Sequence, residues 1–136
     1  MAFKNHHKKV TWEYQTPSGI RLMFATGAAI HVCPPWFGDM FPTYTDHNLH
    51  TILGPDGSFI PSYGMRTVYI KMLPDMDAPV GLTFTVCNVR EPILSFRQMK
   101  DRGYGCSLQE DSYLQISDNL KIPIVEEGQH FYIKPV

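Results

Sequence analysis

Eleven prolines and ten glycines are spread along the whole chain, and they cut it into segments too short for a long helix. Proline removes a backbone donor and fixes φ, and glycine weakens the interior of any regular element. What can form between them is short strands joined by turns. Residues 10–15 (Val-Thr-Trp-Glu-Tyr-Gln) are β-branched and aromatic and read as a strand. Thr16-Pro17-Ser18-Gly19 is a turn signature, and residues 20–24 then read as the returning arm of a hairpin. A second hairpin is predicted from residues 49–53, a Gly54-Pro55-Asp56-Gly57 tip, and residues 58–60. Residues 67–72 and 82–89 are further strands, the first with Val68, Ile70 and Met72 on one face. One helix is expected over residues 93–102, stopped by Gly103. Three weaker strands follow at 107–109, 113–116 and 131–134, with turns at Asp118-Asn119 and Glu127-Gly128. The expected class is all-β with one short helix.

A length of 136 residues fits a single domain, and 43% apolar against 18% charged residues favours a folded chain over a disordered one. A net charge of −1 gives no general attraction to nucleic acid or to an anionic membrane. Three cysteines, Cys33, Cys87 and Cys106, cannot all pair within one chain, which favours free thiols in a reducing compartment. The first residues carry no apolar signal stretch, and no run reaches the roughly 18 apolar residues of a membrane span. The expectation is a soluble, intracellular and cytoplasmic protein, with residues 1–9 as a flexible basic arm.

The most informative stretch is Leu22-Met23-Phe24-Ala25-Thr26-Gly27-Ala28-Ala29-Ile30, an apolar strand, a small-residue kink, and a second apolar run continuing through Val32. It resembles the signature of retropepsin-like aspartic proteases of retroviruses and retrotransposons, in which apolar residues precede Asp-Thr-Gly-Ala or Asp-Ser-Gly-Ala. Ala25 stands at the position of the aspartate. The order of later features extends the resemblance across residues 10–104. A hairpin with a glycine-bearing tip stands where these proteases place their flap. The strand Thr83-Phe84-Thr85-Val86 follows, and then Glu91-Pro92-Ile93-Leu94-Ser95 leads into the helix. Ser95 occupies a position where the family usually has glycine. His31-Val32-Cys33-Pro34-Pro35 and the long tail look most like retrotransposon members.

The resemblance implies a single acid-protease lobe, closed and barrel-like, over residues 10–136, with 105–136 as extended C-terminal strands. Peptide hydrolysis by this class uses two carboxylates about 3 Å apart that share one proton, one acting as base and the other as acid. One lobe carries one motif, so the resemblance implies a homodimer in which two motifs face each other across a two-fold axis. Thr26 would then clamp the two loops, and Gly27 would let substrate backbone approach. Ala28, Ala29 and Ile30 would line the cleft. Ile52, Leu53, Gly54, Gly57, Ser58 and Phe59 would close over the peptide, and Glu91, Pro92 and Ile93 would form pocket walls. The implied substrate is a peptide or polyprotein with hydrophobic residues flanking the cleaved bond, processed for a retroelement in the cytoplasm or inside its particle. No cofactor and no metal is implied.

Alanine at position 25 changes the expected activity. A methyl group neither accepts nor donates a proton, and in a homodimer both acids are lost together, so hydrolysis should fall by many powers of ten. An Asp→Ala change that stops self-digestion is one origin. The alternative is a natural pseudoprotease kept as a peptide-binding or assembly module.

Other candidates have simpler readings. His6, His7, His31, His47, His50 and His130 do not complete a zinc-like set and read as surface or core histidines. Lys4, His6, His7, Lys8 and Lys9 read as a solvated arm. Asp75 and Asp77 sit in a proline-bounded loop and suit turn chemistry, and Glu110-Asp111 is another close carboxylate pair. Cys33 and Cys87 lack a thiol-protease arrangement with histidine and read as small buried hydrophobes.

Overall fold

Alternation of buried and solvent-facing side chains, period two, runs through the longest ordered segments and sets the architecture. The computed structural model describes residues 20–45, 52–54, 56–109 and 111–136. The expected basic arm, the strand at 10–15, the turn at 16–19, and residues 49–51 and 55 of the second hairpin lie outside the described residues.

Among the described residues twelve strands and one helix follow in chain order. They begin with β1 (Leu22–Ala25), β2 (Val32–Cys33), β3 (Ile52–Leu53) and β4 (Phe59–Ile60). Next come β5 (Ser62–Ile70), β6 (Val80–Cys87), β7 (Ile93–Ser95) and α1 (Phe96–Asp101). The tail adds β8 (Gly105–Ser107), β9 (Tyr113–Ser117), β10 (Leu120–Pro123), β11 (Val125–Glu127) and β12 (His130–Ile133). The described residues are therefore mostly β with one short helix, as the proline and glycine spacing requires.

Seven strands form one sheet in the order β11-β12-β1-β7-β2-β6-β5, and β8, β9 and β10 form a second. The sheet is open, with β11 and β5 at its edges, so the closed barrel that the resemblance implied is not found among the described residues. Closure needs strands long enough to tilt and stagger; β2, β7 and β11 have only two or three residues each.

A second correction concerns β1. Its residues were expected to return from a hairpin with residues 10–15, but both of its edges are taken within the described chain. Leu22, Met23 and Phe24 pair antiparallel with Ile133, Tyr132 and Phe131, while Met23, Phe24 and Ala25 pair in parallel with Ile93, Leu94 and Ser95. The C-terminal tail is thus built into the same sheet as the motif strand. Val136 closes it further, donating its N–H to the Lys71 carbonyl at 3.2 Å.

The core is filled mainly from β5, β6 and the strands around β1. Val68 and Ile70 of β5 and Leu82 and Phe84 of β6 point inward, and Leu22, Leu94 and Ile133 meet them. Met72 is buried as expected, though it lies just beyond the end of β5. Leu114 and Ile122, opposite each other on β9 and β10, bring the second sheet to the same core. Burial of each such side chain stabilises by about 1.5–3 kcal/mol relative to exposure. Gly64, at φ +131°, bends β5 at an irregularity in its pairing with β6. A Cβ there would sit 2.6 Å from the Tyr44 carbonyl oxygen, so the bridge between Tyr44 and Met65 needs glycine. The buried Arg66 then holds the preceding loop, donating to the carbonyls of Pro35 at 2.9 Å and Phe37 at 2.6 Å and to Thr43 Oγ1.

The helix is shorter than its apolar pattern predicts. Ile93, Leu94 and Ser95 are extended and lie between β1 and β2 in the sheet. Ser95, at φ −81° and ψ 119°, caps the helix by accepting the Gln98 N–H at its hydroxyl. Gly103, at φ +93°, ends it as expected, with Gly103 and Tyr104 N–H groups donating to Lys100 and Met99 carbonyls.

Candidate functional site

Strand order fixes where the Ala25-Thr26-Gly27 segment emerges. β7 is inserted between β1 and β2, parallel to the first and antiparallel to the second. The chain must therefore leave the sheet after Ala25, pass the end of β7, and re-enter two strands over at Val32. Residues 26–31 form this excursion. Ala25 is half-buried opposite Ser95, while Thr26 and Gly27 are exposed. A Cβ built on Gly27 would meet nothing within 4 Å, so open space faces this part of the loop.

Hydrogen bonds from three neighbouring elements pin the loop. Ser95 Oγ donates to the Ala28 carbonyl at 2.8 Å, and the Ser95 N–H donates to Nδ1 of His31 at 2.8 Å. The His31 N–H donates to Oε1 of Gln98 on α1 at 2.9 Å, and the His31 carbonyl accepts the Thr85 N–H of β6 at 2.9 Å. Since Nδ1 accepts, a neutral His31 carries its proton on Nε2. The ring lies against Phe84, and burial, with the Arg102 charge adding to it, lowers the His31 pKa to about 4.

Opposite the loop stands a small hairpin. Ile52 pairs with Ile60 and Leu53 with Phe59. Its tip is closed by the Gly54 N–H donating to the Ser58 carbonyl and by Ser58 Oγ donating to Asp56 Oδ1 at 2.6 Å. That hydroxyl holds the Asp56 carboxyl below the usual carboxylate range. Gly57, at φ +82°, supplies the left-handed turn residue.

Loop and hairpin enclose a cleft of about 390 Å³. Gly27, Ala28, Ala29 and Ile30 form its floor, and Ile52, Leu53, Gly54 and Ile60 its cover. Val32, Val89 and Ile93 complete the wall. Among the described residues every lining side chain is apolar and none titrates. An extended peptide placing one apolar side chain here would gain about 1.5–3 kcal/mol from its burial.

The cleft thus brings together Gly27, Ala28, Ala29, Ile30, Ile52, Leu53, Gly54 and Ile93 from the residues the sequence singled out. Others are placed elsewhere. Ala25 and Thr26 border the loop without lining the cleft. Gly57 and Ser58 sit exposed at the hairpin tip, and Phe59, paired with Leu53, is 73% exposed and does not line the cleft. Glu91 pairs with Arg21 Nε at 3.5 Å instead of forming a wall. Pro92 is buried, with its carbonyl accepting the Met23 N–H at 3.0 Å.

Val32, Ile60 and Val89 were not foreseen. Ile60 could have been found as the cross-strand partner of Ile52, and Val32 as the end of the second apolar run. Val89 carries no pattern; it is turned back after β6 by its N–H donating to the Cys87 carbonyl.

Burial pushes the Cys33 thiol up to about 12 and raises Cys87 and Cys106 as well, which disfavours the reactive thiolate at all three. Among the described residues no group of three His, Cys, Asp or Glu side chains is placed to hold a metal. None of their helices is long and apolar enough to cross a membrane. No protein-family model matches the chain, and comparison with curated proteins and with solved structures yields no match.

Proposed function

We propose that this chain is the subunit of a homodimeric, retropepsin-like aspartic-protease lobe that binds extended apolar peptides and, with Ala25 in the acid position, does not cleave them. The observation that carries the reading is the cleft itself. The loop following Ala25-Thr26-Gly27 forms its floor, a hairpin covers it, and the described lining residues are all apolar. Exposed Thr26, beside the open face of Gly27, supports an axis at which a second loop meets the first.

With aspartate at position 25 in both subunits, two carboxylates would meet at that axis, share a proton, and supply base and acid for water attack on a peptide carbonyl. The parent activity on this reading is endoproteolysis of a retroelement polyprotein at hydrophobic sites. The second reading is a binding or assembly module on the same lobe, favoured by the alanine as it stands.

Ala25→Asp separates the two. On the protease reading the variant cleaves itself or a hydrophobic peptide near about pH 5, and pepstatin blocks it. A dimeric Ala25→Asp protein with no cleavage from about pH 4 to 7 leaves only the binding module.

A further inference from the structure

Two polar side chains are sealed behind the floor of the cleft, where apolar ones would cost less. Ser95 is fully buried and His31 is 6% exposed, and neither lines the cleft. Buried polar groups destabilise unless they are paired, so each must be compensated by what it binds. Both are. Ser95 uses its N–H on Nδ1 of His31 and its hydroxyl on the Ala28 carbonyl, while the same oxygen accepts the Gln98 N–H at 3.1 Å. His31 joins the far end of the loop to β6 and α1 through Thr85 and Gln98. A glycine at 95 would leave the Ala28 carbonyl without this hydroxyl. The loop is therefore tied at both Ala28 and His31 to β7 and α1, neither of which belongs to the hairpin.

We propose that His31, accepting the Ser95 N–H at Nδ1, is a positioning residue that with Ser95 latches residues 26–30 at the distance from the covering hairpin that an apolar peptide requires. This rests on the peptide-cleft reading above. The latch works only with an unprotonated Nδ1. Protonation turns that nitrogen into a donor facing another donor, and the pair separates. Thr85 and Phe84 from β6, Ser95 from β7 and Gln98 from α1 pack on the ring or its backbone and carry no charge. Among the described residues Arg102 is the charged side chain whose field reaches it, and its sign opposes protonation. Peptide binding should therefore weaken in acid, through the loop and without a titrating group among the described residues of the cleft.

The test uses the full chain and a fluorescein-labelled peptide, Lys-Val-Leu-Phe-Val-Lys, read by anisotropy. His31→Phe keeps a ring and removes the acceptor, and should weaken binding about tenfold at neutral pH. His31→Asn places Oδ1 near the position of Nδ1 and should bind within about threefold of the parent. The parent should lose affinity as pH falls through about 4, where folded His31 takes up its proton, and His31→Asn should not. Equal binding by His31→Phe, equal loss in both variants, or nitrogen NMR placing the His31 proton on Nδ1 overturns the latch. Should His31→Phe fail to fold, the pH profile of His31→Asn and the tautomer decide. Should the parent bind no peptide, the cleft reading falls by itself. The latch then stands if His31→Phe shifts the amide resonances of Ala28, Ala29 and Ile30 and leaves those of β5 in place, and falls if it does not.

Discussion

The backbone N–H of Ser95 donates to Nδ1 of His31 at 2.8 Å, inside the protein and across 64 positions of sequence. One residue sits at the front of α1 and the other at the end of the motif loop. Their bond makes the geometry of the loop depend on the packing of the helix, and on the protonation of one imidazole.

Stability should fall as pH is lowered from about 6.5 to about 4. His31 has a folded pKa near 4, against 6.5 as the ordinary value, so in this window the unfolded chain binds a proton that the folded chain refuses. Stability then rises with pH, is complete above the ordinary value, and is lost below it. The full span corresponds to about 3 kcal/mol. Urea midpoints measured at a series of pH values should show the slope in the parent and a flatter profile in His31→Asn.

Ser95→Ala should destabilise by about 1–3 kcal/mol, since it removes both the helix cap and the partner of the Ala28 carbonyl. It keeps the N–H that His31 accepts. Its urea midpoint should therefore drop uniformly while the acid slope persists. A variant as stable as the parent would show that the Ser95 hydroxyl is not needed.

Ala29 is exposed on the cleft floor. Ala29→Trp should fill the cleft and weaken the labelled peptide about tenfold or more, with stability changed by less than about 0.5 kcal/mol. Anisotropy titration and a urea curve check the two halves. Unchanged affinity would place the peptide elsewhere.

The class of fold was legible because proline and glycine spacing acts locally, and so was the stop at Gly103. The hairpin of Ile52, Leu53, Phe59 and Ile60 was legible too, since turn residues bracket it. Residues Ile93, Leu94 and Ser95 were not. Three apolar or small residues before a helix suit either period, and only Met23 and Val32, distant in sequence, decide that they form a strand. The place of β12 beside β1 was hidden for the same reason. Within the site, the whole hairpin tip was read as cover, but Gly57, Ser58 and Phe59 are exposed and do not line the cleft. His31 was weighed as a metal ligand, because nothing local shows that its partner is a backbone N–H on another element.

Cross-linking at Thr26 tests the shared axis most directly. Cys33 and Cys87 are buried and Cys106 is half-buried with a raised pKa, so a cysteine introduced as Thr26→Cys should be the thiol that oxidises first. If two loops meet at a two-fold axis, mild oxidation should convert the variant to a covalent dimer on a non-reducing gel, while Ser58→Cys at the hairpin's outer tip serves as the comparison. A Thr26→Cys protein that stays monomeric at the highest attainable concentration, or that cross-links no better than Ser58→Cys, would contradict the account.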